Sequence, residues 1–207
     1  TTTKNSFIAG ETFDGAQISE WRDIAPSSKI GLINQNILTP LVTSANVIYA
    51  ETGINNIPSI EFSGSGNLTL SNFYQGNSAQ KTIFLVFRPL SIATQALLDS
   101  HSGGSDHSIS IKDADEITLD SSGNADGGGA STSTGSNPAN FGESSDYVMA
   151  IYFDGSSSRA YLNDGENKVG AANISPGSNE LIGLTIGSNK SSSSHFTGLI
   201  SEIIIFN

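Results

Sequence analysis

The chain has 207 residues, a formal net charge of −11 from nine Lys+Arg against twenty Asp+Glu, and no cysteine. The lack of cysteine excludes a disulfide framework, thiolate metal sites and a cysteine nucleophile. The few cations are scattered singly from Lys4 to Lys190, so the basic stripe needed for nucleic acid or an anionic membrane surface is missing. No segment approaches the roughly 18 apolar residues of a bilayer span.

This length suits one large β-domain that needs no covalent staple. The chain opens at Thr1 without a signal-peptide core, the pattern expected of a mature form, a fragment or a protein delivered some other way. Residues 1–17, "TTTKNSFIAGETFDGAQ", are polar with isolated apolar positions. They are expected to be an arm that adds to a neighbour's sheet edge or covers its own, or else a frayed terminus. The domain proper is expected over residues 18–207. Trp21 in "EWRDIAPSS" reads as core. Residues 28–49 are compatible with short strands or one helical turn.

Strand signals dominate from there on. "SIEF" (59–62) and "NLTL" (67–70) flank "SGSG", which reads as a hairpin turn. "TIFLVFR" (82–88) is β-branched and aromatic, and Pro89 ends it because proline cannot donate to a ladder. "HSISI" and "EITLD" alternate around "KDAD" (112–115), a second hairpin. Residues 121–145 are rich in Gly, Ser and Asn and predict a long loop, functional or mobile. "YVMAIYF" (147–153), "RAYLN" (159–163) and the Asp-Gly turns at Asp154–Gly155 and Asp164–Gly165 predict further hairpins. "LTIG" (184–187) precedes the closing strand "FTGLISEIIIFN" (196–207). That strand alternates at first, is interrupted by Ser201 and Glu202, and then becomes apolar on both faces. An unpaired run of that kind invites aggregation, so its protection is a structural question. The spacing of strands and turns predicts an all-β sandwich.

The ordered set "EWRDIAPSS", "IPSIEFSGSGNLTL", "KTIFLVFRPL", "YVMAIYFDGSSSRAYLND", "LTIGSN" and "FTGLISEIIIFN" resembles the laminin-G-like, concanavalin-A-like jelly roll of bacterial and phage proteins. The resemblance implies two antiparallel sheets packed face to face, with the final strand in the sheet interior beside an early one. Gly198 would then permit a bulge or a close approach. It further implies an exterior, non-catalytic module on a virion or bacterial surface. Such a module would bind glycan or assemble with other copies or with virion and surface proteins. A secreted lectin-like domain of a larger enzyme is the alternative reading, and a glycoside hydrolase the least favoured.

Glycoside hydrolysis needs two carboxyls about 5–5.5 or 6.5–9.5 Å apart. The Glu-x-Asp-x-x-Glu pattern is absent, and Asp113, Asp115 and Glu116 fall in a predicted turn. No G-x-S-x-G elbow presents a serine, and His101, His107 and His195 lie in or beside Ser/Gly-rich loops. Members of this fold commonly hold calcium in edge loops. Asp99, Asp106, Asp113, Asp115 and Glu116 are the candidate oxygen ligands here, without a D-x-D-x-D-G loop to order them. For glycan, Phe73 and Tyr74 in "SNFYQGN" and Phe141 in "NPANFGE" are the candidate loop aromatics, each equally able to fold over the sandwich end.

Overall fold

The computed structural model describes residues 4–9, 14–18, 20–23, 37–40, 46–71, 79–101, 107–121, 130–131, 140–163 and 168–206. Their strands, in chain order, are β1 (Lys4–Ala9), β2 (Trp21–Asp23), β3 (Ile37–Pro40), β4 (Val47–Ile54), β5 (Ile57–Ser63), β6 (Leu68–Leu70), β7 (Lys81–Pro89) and β8 (Gln95–Asp99). They continue as β9 (Ser108–Asp113), β10 (Glu116–Asp120), β11 (Ala130–Ser131), β12 (Tyr147–Phe153), β13 (Ser158–Leu162), β14 (Lys168–Ile174), β15 (Leu184–Ile186) and β16 (Thr197–Phe206). A 3-10 turn, Gly155–Ser157, links β12 to β13. Among the described residues no helix is long and apolar enough to cross a membrane.

Two antiparallel sheets form the sandwich. In the first, β14-β13-β12-β7-β16 run side by side. The far edge of β16 is shared by two strands: β5 pairs with Thr197–Ile200, and β1 with Ile204, Ile205 and Phe206. The second sheet runs β11-β10-β9-β8-β15-β6-β3, and β2 links β3 to β1 at the side of the sandwich. The segment expected as an arm thus contributes β1 to its own chain's sheet.

Alternation sets the core. In β7 the residues Ile83, Leu85 and Phe87 point inward and are fully buried, while Thr82, Phe84 and Val86 point outward and are partly covered. β12 repeats this with Met149, Ile151 and Phe153 inward. The second sheet answers with Ile109, Ile111, Ile117, Leu119, Leu184 and Ile186.

β16 shows how its apolar ending is accommodated. Its register with β7 shifts between Ile200 and Glu202, so Ser201 is an extra residue, a β-bulge. Before the bulge Ile200 faces the core; after it, Ile203 and Ile205 do. One inserted residue changes which parity points inward. Ser201 Oγ lies 2.8 Å from Ser59 Oγ on β5, which satisfies the irregularity. The strand is hydrogen-bonded along both edges, as expected for an interior strand. Gly198 is a close approach: a Cβ there would run into the Arg88 carbonyl oxygen and the Phe196 ring.

Several turns differ from expectation. "SGSG" is not a hairpin: β5 lies in the first sheet and β6 in the second, so these residues carry the chain across the sandwich. Gly64, at φ +83°, makes that bend and donates to Phe196 O at 3.1 Å. The hairpin nearby is β4–β5, closed by Asn55 and Asn56 at φ 51° and 60°, the left-handed pair of a type I′ turn. The β9–β10 and β12–β13 hairpins form as predicted. Asp164–Gly165 lies outside the described residues, as does most of the 121–145 stretch, which contributes the short strand β11.

Gly187 tests how tightly this core is packed. It sits at φ +82°, and a Cβ would enter the Phe62 ring, which itself packs edge-on against Phe196 with centroids 6.1 Å apart. Gly187→Ala is expected to lower unfolding stability by about 2–4 kcal/mol through backbone strain and displacement of Phe62. Urea denaturation of the variant against the parent chain measures it; an unchanged midpoint would refute the packing described.

Candidate functional site

The loop aromatics expected to bind do not form an exposed platform. Phe141 is only 4% exposed; its ring packs 6.0 Å from Phe87 and 5.1 Å from Tyr147. The Tyr147 hydroxyl holds this corner by accepting from Gly142 N and donating to Asn140 O. Phe141 therefore caps the core, the other role open to it. Phe73 and Tyr74 lie outside the described residues.

The acidic candidates are likewise dispersed. Asp113 and Asp115 are exposed at the β9–β10 turn, where Asp113 Oδ1 accepts from Asp115 N at 2.9 Å. Glu116 is buried and ion-paired to Lys112 at 3.0 Å. Asp99 is buried at the end of β8, its two oxygens accepting from Ser100 N at 2.8 Å and Lys190 N at 2.9 Å. Asp106 lies outside the described residues. Among the described residues no three His, Asp or Glu side chains gather into one cluster.

His107 departs from its expected place in an ordinary loop. Its ring is fully buried at the entrance to β9, 4.4 Å from the Phe153 ring, and Nε2 donates to Ala79 O at 2.8 Å. The Ala79 carbonyl can only accept, which fixes the proton on Nε2. Ser121 Oγ is 3.5 Å from Nδ1 but donates to Asn179 O at 3.1 Å. Both groups are committed to closing one end of the core, so this pair presents no nucleophile. Lys81, inward-facing at the start of β7, belongs to the same polar end as the register partner of Phe153. Burial pushes its pKa down to about 8, opposed by the charge of Glu180. Burial raises Asp99 to about 6, against the two backbone hydrogen bonds.

The surface with a distinctive chemistry is the outer face of the first sheet. In register across β16, β7, β12 and β13 stand Phe206, Thr82, Tyr152 and Arg159. The next row holds Ile204, Phe84, Ala150 and Tyr161, and the third begins Glu202, Val86, Val148. Four aromatic rings thus zigzag over four strands, with Thr82 and Ala150 as low points between them. Strands about 4.8 Å apart make this belt roughly 14 Å wide. All four rings are partly exposed, and Val148 is 45% exposed. Phe84 and Phe206 meet edge to face with centroids 6.0 Å apart, and the Arg159 guanidinium lies 5.6 Å from the Tyr152 ring centre. Arg88 closes the lower margin in a two-point pair with Asp146, Nε to Oδ1 at 2.5 Å and Nη2 to Oδ2 at 3.1 Å.

The second sheet shows the contrast. Outward from it, Thr39 and Thr69 stand in one register row and Ser110 and Thr118 in another, all at least partly exposed, as on a solvated face. Thr185, next to Thr69 in the first row, is covered and donates to Ser100 O at 3.0 Å. Among the described residues, none of the candidate site residues of the sequence lies on this aromatic face. Its signal was present in "TIFLVFR", "YVMAIYF" and "EIIIF", where both parities are apolar.

The sequence matches no family model and no curated protein sequence. The fold is similar to domain 4 of AbnA, a GH43 extracellular arabinanase from Geobacillus stearothermophilus in complex with arabinotriose, at TM-score 0.50 and 19% identity, covering 78% of this chain and 75% of that one. It is also similar to the CBM40 of the Ruminococcus gnavus IT-sialidase bound to α2,3-sialyllactose, at TM-score 0.50 and 18% identity over 71% of this chain and 88% of that one. Trypanosoma rangeli sialidase in complex with sialic acid aligns with 97% of this chain at TM-score 0.56 and 12% identity, and the chain spans 30% of that enzyme's length. At these identities the likeness establishes a jelly-roll-like β-sandwich.

The two buried charges give stability a defined pH dependence. Asp99 has its folded pKa raised from 3.8 to about 6, so its contribution is complete below the ordinary carboxylate range and is lost as pH rises through about 6. Lys81 has its folded pKa lowered from 10.5 to about 8, so its contribution is present above 10.5 and lost as pH falls through about 8. Urea midpoints of the parent chain should therefore fall from pH 4 to 6 relative to Asp99→Asn, by the equivalent of about 2–3 kcal/mol. They should rise from pH 8 to 10.5 relative to Lys81→Met. Parallel pH profiles for parent and variant would contradict the assignment of either group.

Proposed function

We propose that this protein is a non-enzymatic, laminin-G-like adhesion module of a bacterial or phage exterior, and that it binds glycan on the outer face of the first sheet. The zigzag of Phe206, Phe84, Tyr152 and Tyr161 carries the reading. Sugar rings present faces of C–H groups that stack on aromatic faces, while their hydroxyls seek nearby polar groups. An aromatic belt with Thr82 between rings and Arg159, Glu202 and Asn163 around it supplies both. The arabinanase domain carrying arabinotriose and the CBM40 carrying sialyllactose give the reading a precedent in the same kind of sandwich. An exterior setting accords with the acidic, glycine-rich composition. Catalysis is not proposed: Asp113 and Asp115 stand at an exposed turn, and Ser121 and His107 are spent on backbone carbonyls.

Packing of the same face against a second copy is the alternative, favoured by the exposure of Val148. Screening the chain against immobilised arabino- and sialo-oligosaccharides, with mass by light scattering, separates the two. The expected result is a monomer that binds at least one glycan. Tyr161→Ala and Phe206→Ala should each weaken that binding about tenfold, or about 1.4 kcal/mol, with melting curves little changed. Undiminished binding by both variants would move the site elsewhere. A stable dimer without glycan affinity would favour assembly.

A further inference from the structure

The aromatic face carries a cation at one corner, and its setting suggests which glycans it takes. We propose that the face selects acidic oligosaccharides, with the carboxylate or sulfate of the sugar held by Arg159; this rests on the glycan reading above.

Arg159 is the register partner of Tyr152, and its guanidinium carbon lies 5.6 Å from the centre of that ring. That cation–π contact holds the guanidinium over the ring, and a guanidinium carries in-plane N–H groups suited to two-point capture of a planar anion. Among the described residues no carboxylate pairs with Arg159. The other arginine of this face, Arg88, is already held by both oxygens of Asp146. Among the described residues Arg159 is therefore the arginine of this face without a carboxylate partner.

The surroundings suit a sugar acid rather than a bare ion. Tyr161 stands on the same strand two residues on, so an aromatic surface adjoins the cation. Phe84 and Phe206 continue the belt away from it, giving neutral sugar units a surface beyond the charged one. Of the acids on this face, Asp154, two residues beyond Tyr152, accepts from Gln80 Nε2 at 2.6 Å, and Glu202 occupies the opposite corner, three strands and two rows from Arg159. That is roughly 20 Å, beyond the screening length of about 8 Å at physiological ionic strength. The net charge of −11 is screened over the same distance, so the local cation determines what docks beside it.

Matched pairs of ligands provide the test: α2,3-sialyllactose against lactose, and an oligogalacturonide against its methyl ester. Each is titrated into the full chain and into Arg159→Gln and Arg159→Lys. In the parent chain the acidic member of at least one pair should bind ten times or more as tightly as its neutral counterpart. Arg159→Gln should bring that ratio close to one, the acidic member losing about tenfold more affinity than the neutral one, and Arg159→Lys should recover part of the preference. Equal affinities within every pair, or a ratio that survives Arg159→Gln, would overturn the charge selection and leave glycan binding standing. Failure of the parent chain to bind any member of either pair, or of the wider glycan screen, would overturn both. Unchanged melting of the variants keeps a folding defect from imitating the expected result.

Discussion

One inserted residue in the last strand sets the geometry of the first sheet. Ser201 bulges from β16 opposite β7, and it brings Ile200 and Ile203 to the same face although their positions differ in parity. Were Ser201 paired regularly instead of bulging, Glu202 would follow Ile200 into the core and Ile203 and Ile205 would turn outward, because a one-residue slip reverses every side chain beyond it. A carboxylate in that core would need a partner or a proton. The edge that β16 offers beyond the bulge is the edge that β1 takes, while the part before it belongs to β5. A local irregularity thus also coincides with the change of neighbour along one strand.

The two outer faces of the sandwich have different chemistry because the two sheets solve different problems. The second sheet turns threonine and serine outward, residues that hold strand geometry and remain solvated. The first sheet turns phenylalanine, tyrosine and isoleucine outward, where each ring gives up only part of the area that full burial would remove from water. A protein gains little stability from aromatic groups left half exposed, so their placement in register over four strands points to an external surface that completes the burial. Arg159 reinforces the point, as a cation laid on a ring instead of an acid.

Legibility from sequence followed the range of the interaction. The β9–β10 and β12–β13 hairpins were readable because alternation and turn chemistry lie within a dozen or so residues of each other. "SGSG" was misread for the complementary reason: Gly64 specifies a bend, but nothing local specifies which sheet the chain enters next, and Thr197 and Phe196 decide that from far along the sequence. Asn55 and Asn56 escaped notice because the left-handed turn they make is more often signalled by glycine. Phe141 could be assigned to a loop but not to an environment, since Phe87 and Tyr147 bury it through tertiary contacts. Likewise the inward parity of β7 and the cover over β8 place Lys81 and Asp99 inside, which no local pattern signals.

The central position of β16 also bears on how the molecule is made. β1, β5 and β7 all hydrogen-bond to this strand, so each keeps an open edge on a growing chain until residues 197–206 have left the ribosome. Pairings that join residue 4 to residue 206 close the longest loop this stretch of chain can form, and such non-local closure slows folding. Newly synthesised molecules must therefore wait with several apolar strand edges uncovered, and residues 197–206 work as the zip that ends that exposure. Loss of this one strand would leave the facing edges of β1, β5 and β7 open to pairing with other chains.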